Sequence, residues 1–170
     1  SGGITVENGV LDLGASTQTG GAFVLKGGSV INGTLNASSY ELQDGSIGAG
    51  LDGAVGITKT TDGLVVVSGS NTYTGSTIVQ QGVLVLGSTA ALPAFPASAV
   101  IDVADGAFLS FRAGGVGEWS SSDIATVIGL TTFNNSGGIG FDVTAANEFT
   151  YAQSITGTVP VLKTGSGTLV

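Results

Sequence analysis

The chain has 170 residues with 12 acidic and 4 basic side chains and no histidine, and its net charge of −8 argues against a surface that follows nucleic-acid phosphates. It also lacks cysteine and methionine, so disulfide frameworks, Ser-His and Cys-His nucleophile systems and the ordinary zinc sites are excluded. Thirty glycines against 3 prolines set it apart from collagen-like and proline-rich chains, and they punctuate short runs of Val, Ile, Leu, Thr and Phe that favour an all-β fold.

The first phrase, GGITVENGVLDLG at 2–14, reads as strand, glycine turn, strand. FVLKGGSV at 23–30 is echoed by YELQDGSI at 40–47, a spacing of 17 residues that suits one coil. LDGAVGITKTTDGLVV at 51–66 supplies the next strand pair. The stretch GSTIVQQGVLVLG at 75–87 then repeats 2–14, setting Val6 against Val79, Gly9 against Gly82, Leu11 against Leu84 and Leu13 against Leu86. Just before it, Asn71 lies between Gly69 and Gly75, where a reversing chain needs a positive φ or a side chain bonded to its own backbone. The alternative for Asn71 is a stacked Asn or Thr ladder that meets a ligand. Tyr73 is expected as a corner residue over the coil edge, or as a sugar-stacking ring. Residues 112–128 are the least repeat-like and are expected to leave the rod as a loop or short helix. The chain's only arginine and only tryptophan lie there, so Arg112, Glu118 and Trp119 are the expected contact surface. ITGTVPVLKTGSGTLV at 155–170 closes the chain and matches 51–66, with Lys163 opposite Lys59, Thr164 opposite Thr60 and Gly167 opposite Gly63.

A strand-turn-strand unit cannot bury its apolar side chains alone, whereas stacked copies close a continuous core. The reading is therefore a single-stranded parallel β-helix, or β-solenoid, running as one segment over 1–170. Its repeat-like parts are 2–14, 51–93 and 155–170, with the irregular excursion at 112–128. Seven to nine coils about 4.8 Å apart would make a rod of roughly 35–45 Å. An antiparallel sandwich is the structural rival.

The run GITKTTDGLVVVSGSNTYTGSTIVQQGVLVLGSTAALP at 56–93 resembles the autotransporter-associated β-strand repeat of passenger regions in large bacterial surface proteins. The Lys-Thr turn at Lys59, the Gly-Leu-Val strand, the Asn-Thr-Tyr-Thr-Gly turn from Asn71 to Gly75 and the closing Val-Leu-Gly match in order. Residues 2–14 and 155–170 look like its second and first halves, and 95–111 and 138–157 resemble the segments between such repeats. The resemblance implies a right-handed parallel β-helix, exported and displayed outside a bacterial cell. It implies a scaffold and no particular activity.

Carboxylate pairs that could cleave a polysaccharide, Asp102 with Asp105 or Asp44 with Asp52, sit beside glycine in turn phrases and read as solvated turn residues. Calcium bridging between such turns is the weaker reading, because the Asp-Gly-rich nonapeptide spacing is missing. No cofactor is expected. With no run of about 18 apolar residues, the segment is not expected to insert in a membrane. The expected function is a non-enzymatic extracellular shaft of a bacterial surface fibre, stalk or adhesin. Its partner is expected to be itself: Val170 joined to Ser1 reads as a shortened repeat, so copies would stack head to tail, or the chain would continue in a longer one. The rivals are a module that grips glycans or host and abiotic surfaces, and a polysaccharide-cleaving enzyme. Ice contact is disfavoured, since TKT, TYT and LTT share no clean period.

Overall fold

The computed structural model describes residues 2–96 and 100–170, so residues 97–99 of the spacer phrase and Ser1 of the expected joint lie outside it. The chain circles one axis. Its first turn is β1 (Ile4–Val6), β2 (Val10–Asp12) and β3 (Thr17–Thr19). The second is β4 (Ala22–Leu25), β5 (Ser29–Ile31) and β6 (Thr34–Asn36), and the third is β7 (Ser39–Leu42), β8 (Gly45–Ile47) and β9 (Gly50–Asp52). The fourth holds β10 (Ile57–Lys59) and β11 (Leu64–Val67). The fifth holds β12 (Thr77–Val79), β13 (Val83–Leu86) and a 3-10 turn at Thr89–Ala91. Then come β14 (Ile101–Val103), β15 (Phe108–Arg112) and helix α1 (Ser121–Leu130), followed by β16 (Thr131–Phe133), β17 (Gly138–Asp142) and β18 (Glu148–Phe149). The last turn is β19 (Val161–Thr164) and β20 (Thr168–Leu169).

Three faces result. Face A is the seven-stranded sheet β1-β4-β7-β10-β12-β14-β16, face B the eight-stranded sheet from β2 to β19, and face C the three-stranded sheet β3-β6-β9; β18 and β20 form a separate pair. The strand pairs are parallel, which rules out the antiparallel sandwich and makes the fold a β-solenoid. Register keeps like residues above one another. Phe23, Tyr40, Ile57, Thr77 and Ile101 form one inward column on face A, and Val65, Leu84, Leu109 and Ile139 another on face B. Almost all of these are fully buried, and each apolar one stabilises the stack by about 1.5–3 kcal/mol.

The repeat of 2–14 in 75–87 has a structural counterpart. Val6 and Val79 both lie on face A, Leu11 and Leu84 both on face B, and Gly9 and Gly82 turn the corner between them at φ 72° and 66°. The echo of 51–66 in 155–170 is displaced by one face: Lys59 ends β10 on face A, whereas Lys163 lies in β19 on face B. Its local corner persists, because each lysine ammonium donates to the carbonyl two residues ahead, Thr61 and Gly165 respectively.

Lys59 replaces an aliphatic residue in the inward column Leu25, Leu42, Lys59, Val79. It is fully buried, and its Nζ also donates to Gln81 O in the next turn at 3.3 Å, tying two corners together. Burial pulls its pKa below the usual lysine value, opposed by the Asp44 and Asp62 charges.

Turn length varies on one face only. Seven residues separate Ile31 from Ser39, but 18 separate Arg112 from Thr131, while the A-to-B corners stay short. Face C absorbs the difference, and it is where the stack departs from regularity.

Candidate functional site

The ladder of face C stops after β9, and Asn71 takes over from it. Leu51 N donates to Asn71 Oδ1 at 2.9 Å, and Asn71 Nδ2 donates to Ala91 O at 2.7 Å. Asn71 N donates to Ala90 O at 3.0 Å. The amide thus bridges the turns on either side, each about 20 residues away. This corrects the local expectation: Asn71 has no positive φ and bonds no backbone of its own turn. A carboxamide suits the place because it offers one acceptor and one donor on opposite edges.

Tyr73 also differs from expectation. It is turned inward at 2% exposure, so it neither lies over the coil edge nor offers a ring to a sugar. Its hydroxyl is 2.7 Å from Thr77 Oγ1. Burial pushes its pKa up from 10.0 to about 12, the Thr77 hydrogen bond opposing. The folded protein therefore holds this proton more tightly than the unfolded chain. The contribution is complete below pH 10 and disappears as pH rises to about 12, an interval worth about 3 kcal/mol. Tyr40, raised by burial as well, adds to the same trend. Urea titrations across pH 9–12 should therefore show steep alkaline destabilisation in the parent and a shallower slope in Tyr73→Phe. Equal slopes would place the Tyr73 hydroxyl in water.

Residues 72–76 border a groove of about 490 Å³ whose far wall, among the described residues, includes Leu92, Pro93, Ala94 and Val100. Gly75 lies within it, at the point where the chain leaves the Asn-Thr-Tyr-Thr phrase for β12. A Cβ at Gly75 would run into the backbone of Gly56, so this side of the groove is held hard against the preceding turn.

The excursion after β15 contains the expected short helix. Ser120 caps it, its hydroxyl accepting from Asp123 N at 3.2 Å, and Ile124 and Val127 bury its inner face. Trp119 does not face solvent: it is 1% exposed, wedged edge-on between Phe95 and Phe111 with ring centres 5.2 Å from each. Its expected role as a contact residue is overturned by packing, since a large apolar ring beside two others gains more from the core than from water. Arg112 Nε donates to Asp142 Oδ2 at 2.9 Å, and Glu118 accepts from Gly115 N at 2.6 Å. Arg112 and Glu118 shape the loop base; the fully exposed apolar residue there is Val116.

Asp44 and Asp105 lie in turns, whereas Asp52 lies in β9 and Asp102 in β14, which corrects the reading of all four as turn residues; Asp52, Asp102 and Asp105 are each tied to a neighbouring coil. Asp105 accepts from Ser136 N, Ser136 Oγ and Asn135 Nδ2 at 2.7, 2.8 and 3.0 Å, which holds it below the usual aspartate range. Asp102 accepts from Asn134 at 2.5 Å, and Asp52 from Thr72 at 2.8 Å. Asp44 sits at the A-to-B corner and Asp52 on face C, so that pair is not brought together. Among the described residues no group of three metal-ligating side chains converges, and no helix is long and apolar enough to cross a membrane.

Over 101 residues the chain is 35% identical to the adhesin BmaC autotransporter of Brucella suis biovar 1 (strain 1330). The match covers 59% of this chain and 3% of that protein. No family model matches the sequence, and no solved structure matches it. A parallel β-solenoid and a likeness to part of an autotransporter adhesin agree with the resemblance carried by 56–93.

Proposed function

We propose that the chain is a length of rigid rod in an exported bacterial surface adhesin, serving by extension and display and not by catalysis. The observation that carries this is the pair of long parallel ladders on faces A and B, which keep their order while face C varies. Such a stack spaces and presents whatever face C holds. Similarity to an autotransporter adhesin supports cell-surface placement. Head-to-tail association belongs to the same proposal, since a parallel ladder can be continued by another coil of like register, within one chain or between copies.

Small-angle scattering and electron microscopy of the purified chain test this. A rod about 40 Å long is expected, with thin filaments at high concentration and adhesion of cells that display it. A globular scattering profile would defeat the rod. Monodisperse single rods at high concentration would defeat association between copies, and loss of surface exposure in a displayed fusion would defeat the adhesin role.

A further inference from the structure

We infer that Asn8 is a site of spontaneous deamidation in the folded chain, and that the Asp12 carboxylate protects Asn32 from the same reaction. Asn8 and Asn32 are the asparagines followed by glycine, the neighbour that leaves the next backbone nitrogen least hindered because it has no Cβ. In the reaction that nitrogen attacks the Asn Cγ and loses its proton to solvent, the new C–N bond closes a cyclic imide, and Nδ2 takes up a proton and departs as ammonia. Water then opens the ring at either carbonyl, giving aspartate or, with the backbone rerouted through the side chain, isoaspartate. Water is the only co-reactant.

The two positions share much of what governs the rate. Asn8 and Asn32 are both exposed corner residues, Gly9 and Gly33 both have positive φ, 72° and 52°, and among the described residues neither glycine N–H donates a hydrogen bond. The side-chain amides differ. Asn32 Nδ2 donates to Asp12 Oδ1 in the first turn at 2.8 Å, and Gly14 N, bonded to the same oxygen at 2.8 Å, fixes the carboxylate. Ring closure must swing Cγ onto Gly33 N, which breaks that hold. The Asn8 amide makes no hydrogen bond among the described residues, so its Cγ turns freely. Asn32 itself has φ 58°, a restraint that the variants below separate from the carboxylate's. The consequences differ too. Conversion of Asn32 would set a second carboxylate against Asp12 where an amide now donates, and the like charges would push the first and second turns apart. Conversion of Asn8 would add a charge in open solvent, next to a Glu7 already paired with Lys26.

The test is to hold the intact chain at mildly alkaline pH and follow both positions by peptide mass mapping, with enzymatic methyl labelling of isoaspartate. Asn8 should convert at least tenfold faster than Asn32 in the folded chain, and the two should convert at similar rates in concentrated urea. Asp12→Ala should raise the Asn32 rate at least tenfold, with the Asn8 rate and the circular dichroism unchanged. Asp12→Asn, which keeps an acceptor oxygen, should leave Asn32 protected. Equal rates in the folded chain, or an intact Asn8, would overturn the site. The same disparity in urea would assign it to local sequence and overturn protection by the fold. An Asn32 still protected in Asp12→Ala would assign the protection to its backbone conformation and overturn the role of Asp12, as would loss of protection in Asp12→Asn.

Discussion

Replacing Asn71 with alanine will lower the free energy of unfolding by about 3 kcal/mol, measured by urea denaturation at neutral pH. The carboxamide is 6% exposed and serves Leu51 N and Ala91 O at once. Removing it strands a buried donor and a buried acceptor in different turns, and each such group costs about 1–3 kcal/mol. Asn71→Asp discriminates between loss of volume and loss of bonding. The carboxylate still accepts from Leu51 N, but it faces Ala91 O without a proton and is as harmful as alanine at pH 7. On acidification the protonated acid regains a donor, so the aspartate variant should recover part of its deficit as pH falls. An alanine variant within 0.5 kcal/mol of the parent would mean that water replaces the amide and the bridge is dispensable.

Gly69→Ala is expected to cost a similar amount by a different route. Gly69 is buried at the entrance to face C, and an added Cβ would run into the carbonyl of Ala49 in the preceding turn. The obstacle is backbone, so the turns must separate locally, an overpacking penalty of about 3 kcal/mol. Gly106 supplies the comparison. There φ is +71° with open space around the missing side chain, so Gly106→Ala carries conformational strain alone, about 1 kcal/mol. Melting temperatures of the two variants should differ clearly, with Gly69→Ala the lower. The reverse order would mean that turn spacing yields more readily than backbone dihedrals.

The architecture was legible because a solenoid writes its geometry as repetition. The 17-residue offset between FVLKGGSV and YELQDGSI is the Phe23-to-Tyr40 register of β4 and β7, and the unbroken LVVV and VLVL runs are successive strands of face B. What a residue touches in the turns above and below was not legible. The Gly-rich phrase around Asn71 carries the same local signal whether the amide bonds its own turn or two others. Trp119 looked exposed because its own segment lacks periodicity, but Phe95 and Phe111, which enclose it, come from separate stretches of the chain. The displacement of Lys163 onto face B likewise depends on how 150–160 spans the preceding turn without a strand. The groove was the least visible feature, since its described lining comes from separate stretches of the chain, 71–77 and 92–94 with Val100.

The ladders of faces A and B have a mechanical consequence. Their hydrogen bonds lie along the rod while the chain runs around it, so tension on the two ends pulls each bond open along its own direction. Parting then proceeds from an end, one turn at a time, because each turn touches only its neighbours. A 17-residue turn such as Phe23 to Tyr40 occupies about 4.8 Å of axis when wound and releases about 50–60 Å of chain when peeled. A cell tethered through such a rod would feel a load that is relieved in steps, and slack would wind back in the same increments when the pull ceased.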